Sequence, residues 1–185
     1  MSVTPEHVKQ VLAEADCLVS REQVEAAMDR MAEAITRDLA DSNPLILCVM
    51  TGGVVAAGHL LTRLHFPLQV DYLHATRYRG ALTGGEELHW LVKPQTSLKG
   101  RTVLVLDDIL DEGHTLAGIL DYCREEGAGR VLSAALVLKH HDRRVPGLML
   151  DYLGVEVEDR YVFGYGMDYK EYLRNAPGIY AVKGC

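Results

Sequence analysis

A chain of 185 residues, 48% hydrophobic and 24% charged, is long enough to close one well-covered core and short for two, so a single domain over residues 1–185 is expected. Its net charge of −7 argues against a broad nucleic-acid footprint or a polybasic membrane surface. Cys17, Cys48, Cys123 and Cys185 stand far apart with no CxxC pair, which speaks against a zinc site or a compact disulfide framework.

No apolar run approaches the length of a membrane span, and no basic stretch leads into an apolar one at the N-terminus, so the cytoplasm is the expected compartment. The spacing predicts a short helix over residues 7–15. Ser20 and Gln23 fit a capping box for a longer helix. Behind it Val24, Ala27, Met28, Met31, Ile35 and Leu39 form one apolar stripe at helical spacing, which suits a core or an interface between copies. Asn43 and Pro44 break the pattern. Residues 45–50 are a continuous apolar run that leads into Thr51, Gly52 and Gly53, then into a small-residue helix over 54–64. Two glycines at a strand-to-helix turn leave backbone amides bare, an anion cradle; a tight turn with no ligand is the alternative. Residues 70–78 read as a strand, and 79–94, with Gly80, Gly84 and Gly85, as a loop or loose hairpin that suits a mobile lid.

Residues 103–115, VLVLDDILDEGHT, organise the rest. Residues 103–106 suit a strand covered on both faces of a parallel sheet, and 116–126 a helix. Asp107, Asp108 and Asp111 are too many charges for a core, so they face solvent, a cation or a ligand. Gly113, the free amides that open the helix and the Thr115 hydroxyl favour an anion, which the three carboxylates would repel unless they meet another part of the ligand. A phosphorylated sugar satisfies both demands; a plain acidic turn capped by Thr115 is the alternative. Neither a Walker A loop nor a GxGxxG fingerprint occurs. Residues 131–138 read as another buried strand, at whose carboxyl end Lys139 points to the crevice beyond the sheet; a solvated strand end is the alternative. His140 and His141 lack acidic neighbours at ligand spacing and are assigned to the surface. In the tail, Tyr161 and Phe163 alternate as core aromatics would.

Residues 103–115 resemble the ribose-phosphate signature of the type I phosphoribosyltransferases. The tail DYLGVEVEDRYVFGYGMDYKEYLR is similar to the purine-reading end of the hypoxanthine-guanine phosphoribosyltransferases within that family. The resemblance implies an α/β fold: a central, mostly parallel sheet flanked by helices, a flexible lid over about 79–95, and a small base-binding hood built from the C-terminal segment, about 151–185. It also implies a cis peptide between Met50 and Thr51, and transfer of a phosphoribosyl group from 5-phosphoribosyl-1-pyrophosphate to a 6-oxopurine. In that scheme Asp107 and Asp108 hold the ribose and Mg²⁺, and Asp111 is the general acid/base at purine N7. Asp111, Glu112, Gly113, His114 and Thr115 hold the 5-phosphate; Thr51, Gly52 and Arg174 hold pyrophosphate. Lys139, Tyr161, Val162 and Asp168 read the base, Asp168 also reaches the metal directly or through water, and Arg77 and Tyr78 serve the lid. Small-molecule substrates, no nucleic acid, no membrane and a homodimer or homotetramer complete the expectation. A xanthine-preferring enzyme and a nucleotide-binding regulator on the same fold are the competing readings.

Overall fold

The computed structural model describes residues 3–77 and 88–184. The chain opens with α1 (Pro5–Glu14), whose N-cap Thr4 accepts the His7 N–H, and a short strand β1 (Asp16–Val19). The capping box of Ser20 and Gln23 starts α2 (Arg21–Leu39), and the whole predicted stripe is buried on one face. That stripe is therefore core, and its use as an interface between copies is set aside.

Strand β2 (Leu45–Val49) is buried at every position. Ile46 and Cys48 face the cluster that contains the α2 stripe, whereas Leu45, Leu47 and Val49 face a second cluster on the other side. Helix α3 (Gly53–Leu61), strands β3 (Gln69–Arg77), β4 (Leu88–Val92) and β5 (Thr102–Leu110), helix α4 (His114–Glu125), and strands β6 (Arg130–His140) and β7 (Tyr152–Glu158) follow. In β5, Leu104 and Leu106 join the α2 side and Val103 and Val105 the α4 side. Burial on both faces is why these strands read as unbroken apolar runs.

The six-stranded sheet has the order β4-β3-β2-β5-β6-β7. Every neighbouring pair is parallel except β3 with β4. From β2 the chain first adds β3 on one side and then crosses to add β5 on the other. The order thus reverses between β2 and β5, and ligands of open α/β sheets settle at such a switch point, beyond the carboxyl ends of the strands.

A second, three-stranded antiparallel sheet joins β1, β9 (Ile179–Ala181) and β8 (Val162–Phe163). It carries its own cluster, in which Phe163, Tyr169 and Ala176 pack with Val3, Val11 and Ala15 from the chain start. The C-terminal segment expected to form a hood is thus paired with β1 and packed against residues of the chain start. Part of the range expected for a lid, about 79–95, falls on residues that are not described. Residues 78–87, Tyr78 among them, lie outside the described residues, and Leu88–Val92 is an edge strand of the main sheet. The returning end of that hairpin is fixed by Asp71, whose Oδ2 accepts the N–H groups of Gln95 and Thr96 at 2.8 and 2.7 Å. No helix among the described residues is long and apolar enough to cross a membrane.

Candidate active site

The carboxyl ends of β2 and β5 open into a cavity of about 570 Å³. The cis peptide between Met50 and Thr51 stands at the end of β2, and Gly52 follows as the N-cap of α3 with no side chain capping the helix. Its partner across the switch point is Gly113, N-cap of α4, in the left-handed region at φ 87° and also without a side-chain cap. Gly52, Gly113, His114 and Thr115 all line the cavity. Two helix N-termini with unsatisfied amides therefore face one space, which favours two anions.

Asp107 and Asp108 also line this space, but they belong to β5 itself, whose regular pairing runs on to Leu110. The sequence reading ended that strand at residue 106, because charge there looks like the start of a turn. Asp108 is 7% exposed, and its backbone N–H donates to Asp107 Oδ1 at 2.9 Å. Burial, then the neighbouring Asp108, drives the Asp107 carboxyl well above the usual carboxylate range. Burial raises Asp108 too, against the hydrogen bond from Asp107 and the charge of Arg174. Such a pair is costly to ionise unless it meets hydroxyls or a cation.

Glycine makes the close packing around Asp108 feasible. A Cβ on Gly52 would stand 2.1 Å from Asp108 Oδ2, and one on Gly166 2.1 Å from the Gly52 carbonyl oxygen. Gly166 lies at φ 110°, so the tail is locked against the β2 turn by two residues without side chains. The tail is held from behind by Tyr165, whose hydroxyl donates to Glu25 Oε1 at 2.6 Å; Glu25 in turn pairs with Arg63.

Asp111 sits just beyond β5, beside Lys139 at the end of β6. Lys139 Nζ donates to its Oδ2 at 2.6 Å, and His141 Nε2 lies 2.5 Å from its Oδ1. Burial opposes charge on Asp111, yet the hydrogen bonds of Lys139 and His141 outweigh it and hold the carboxyl below its usual range. The surface assignment of His141 is wrong: its side chain is 3% exposed. Its acidic neighbour comes from the adjacent strand, not from the local sequence. The i, i+2 spacing of Lys139 and His141, which places both on one face of an extended strand, was the available signal. His140 does lie at the surface and pairs with Glu156 at 2.6 Å.

Tyr161, Val162, Asp168 and Arg174 from the tail also line the cavity. Tyr161 is 41% exposed while Phe163 is fully buried, so the alternation marks one ring on the cavity wall and one core ring. The Tyr161 hydroxyl accepts the Lys170 N–H at 3.3 Å, and its ring packs tilted against that of Tyr169 with centroids 5.6 Å apart. Arg174 donates to the Gly166 carbonyl at 2.7 Å and pairs with Asp168 at 2.9 Å, and Asp168 also accepts the Glu171 N–H. Of the expected site residues, Thr51 is exposed and outside the cavity wall. Arg77 ends β3, and its side chain falls outside the described residues. Wall residues that the sequence reading missed include Met50, Ala75, Ile109 and Met167, apolar positions that look like ordinary core in one dimension.

Comparison with known proteins agrees with this geometry. A family model described as phosphoribosyl transferase domain matches residues 15–171. A hypoxanthine-guanine phosphoribosyltransferase of Streptococcus thermophilus is 30% identical over 166 residues, 90% of this chain and 92% of that protein. A hypoxanthine-guanine-xanthine phosphoribosyltransferase of Tritrichomonas foetus is 31% identical, covering 90% of each. The solved structure of a hypoxanthine-guanine phosphoribosyltransferase from Bacillus anthracis superposes with a TM-score of 0.84 at 28% identity, over 90% of this chain and 98% of that one. With a family model spanning most of its length and a relative 30% identical over 90% of it, the chain belongs to the phosphoribosyltransferases, in their hypoxanthine-guanine branch.

Proposed function

We propose that this chain, as a single phosphoribosyltransferase domain, joins hypoxanthine or guanine to C1 of 5-phosphoribosyl-1-pyrophosphate, giving IMP or GMP and releasing pyrophosphate. The observation that carries this reading is the convergence of two uncapped helix N-termini and an acid pair on one cavity, with Lys139 paired to Asp111 on its wall. The turn from Asp111 through Glu112, Gly113 and His114 to Thr115 takes the 5-phosphate, and Gly52 with Arg174 the pyrophosphate. Asp107 and Asp108 accept from the ribose hydroxyls and lie where positive charge develops on the ring as the C1–O bond breaks.

The same two carboxyls fit Mg²⁺. They are hard oxygen donors, and burial makes a counter-cation welcome. Among the described residues no three His, Cys, Asp or Glu side chains form a protein cage, which suits an ion held by one or two carboxylates, water and substrate oxygens. Bound there, Mg²⁺ would neutralise the charge gathering on pyrophosphate. Asp168 has both oxygens engaged, so its contact with the ion is assigned through water.

Purine N9 attacks C1 while Asp111 takes the N7 proton. In the free protein Lys139 occupies Asp111 Oδ2. A 6-oxo group draws that ammonium away as an acceptor, and Asp111 becomes a stronger base as the N7 proton arrives. A 6-amino group is a donor and cannot do so, which sets adenine apart. Tyr161 stacks on the ring, and the carbonyls of Val162 and Asp168 test purine C2. We assign the domain to the cytoplasm as a homodimer or homotetramer, with Val70, Tyr72 and Leu91 as exposed apolar surface for such an assembly. Xanthine remains a second reading, since a relative at 31% identity carries it in its name. The test is pyrophosphate release with hypoxanthine, guanine, xanthine and adenine, with and without EDTA. Turnover on adenine alone, or full activity in EDTA, would contradict the scheme.

A further inference from the structure

Asp111 holds one partner on each oxygen, and the two partners differ in what they are free to do. Lys139 belongs to the cavity wall and can turn towards a substrate. His141 does not line the cavity. Its Nδ1 accepts the Arg143 backbone N–H at 3.1 Å, and Arg143 is itself tied to both oxygens of Asp159 at 2.9 and 3.1 Å. A ring nitrogen that accepts a backbone N–H carries no proton, so the imidazole proton sits on Nε2, 2.5 Å from Asp111 Oδ1.

We propose that His141 is the positioning residue of the general base, holding Asp111 Oδ1 through a fixed Nε2–H donor while Oδ2, vacated by Lys139, receives the purine N7 proton. The inference rests on the reading of Asp111 as that base. A carboxylate held at one oxygen keeps its other oxygen aimed, and outer partners of this kind set the orientation and basicity of the group that reacts. When Lys139 leaves, His141 is the remaining side-chain donor to Asp111 among the described residues. The charged and titratable groups around the pair are Lys139, Arg143, Glu112, His114 and Asp159, and all stay in place in the variants below.

The test compares His141→Phe, His141→Asn, His141→Gln and Asp111→Asn in the full chain with hypoxanthine, phosphoribosyl pyrophosphate and Mg²⁺. His141→Phe removes the donor, and His141→Asn is too short to reach Oδ1, so both should lower kcat about tenfold or more. The KM for phosphoribosyl pyrophosphate should stay unchanged. The acid limb of kcat/KM should move to higher pH, because Asp111 loses a bond that favours its charged form. His141→Gln, which keeps an N–H at similar reach, should recover most of kcat. A wild-type kcat and unshifted acid limb in His141→Asn, beside an inactive Asp111→Asn, would overturn the role of His141 and leave the base reading intact. A defect confined to KM, or a Gln variant as impaired as Asn, would also overturn it. Turnover retained in Asp111→Asn would overturn the base reading and this inference together.

Discussion

Replacing Gly52 by alanine separates steric packing from backbone freedom at the centre of the site. Gly52 has φ −59° and ψ −48°, an ordinary right-handed conformation, so alanine meets no backbone strain. At such a site it should stabilise by about 0.4–1 kcal/mol through the unfolded chain. The structure reverses that sign. The new Cβ would stand 2.1, 2.5 and 2.8 Å from Oδ2, Cγ and Oδ1 of Asp108. Ordinary contact begins near 3.4 Å, so the carboxylate has to retreat by about 1.3 Å. It has little room, because Asp108 is 7% exposed and Gly166 closes on its other side. Overpacking of this kind costs about 1–3 kcal/mol, and a 1 Å misplacement of a substrate-holding group costs about 10²-fold in turnover. Thermal melting and steady-state pyrophosphate release measure the two effects. In an Asp108→Ala background, which removes the three crowded atoms, Gly52→Ala should lose its stability penalty. A Gly52→Ala protein at least as stable as the parent and fully active would refute the reasoning.

Gly113→Ala should lower stability by about 1–3 kcal/mol, since an L residue is strained at φ 87° and its Cβ would stand 2.4 Å from Leu148 Cδ2; an unchanged denaturant midpoint would contradict this. Tyr165→Phe removes the 2.6 Å bond to Glu25 and should cost about 1–2 kcal/mol at neutral pH. That bond is the first cause holding Glu25 below its usual range, so its contribution is present above the unfolded carboxyl pKa of about 4.3 and lost as pH falls through the lower folded value. The gap between parent and variant should therefore narrow in acid, and a constant gap would rule the linkage out. Lys139→Gln should reduce kcat/KM for hypoxanthine by roughly 10²-fold or more while sparing the KM for phosphoribosyl pyrophosphate; an effect confined to the sugar-phosphate would remove Lys139 from base reading.

The predicted elements that the structure reproduces most closely are those with strong local causes. The capping box and stripe of α2 follow from side chains three and four residues apart, and β2, β5 and β6 follow from unbroken apolar runs. The weak points are equally physical. Strand β1 is four residues with two exposed, too short for a period, and is a strand because β9 pairs with it from the far end of the chain. The carboxyl half of β5 carries acids because it leaves the core for a cleft, a fact no local pattern contains. Leu88–Val92 alternates between half-buried and exposed, so only its pairing with β3 distinguishes it from loop.

From its own order of residues this chain determined two amide-rich turns, an acidic signature between them and an aromatic tail. All are short-range patterns, written in neighbours whose chemistry acts over a few bonds. Tertiary structure alone decided which of these meet: Asp108 against Gly52, Gly166 over both, and His141 on Asp111 across two parallel strands. Those contacts join residues from 30 to over 100 positions apart in the chain, and the register of the sheet and the packing of the tail over it, not the sequence around either partner, bring them together.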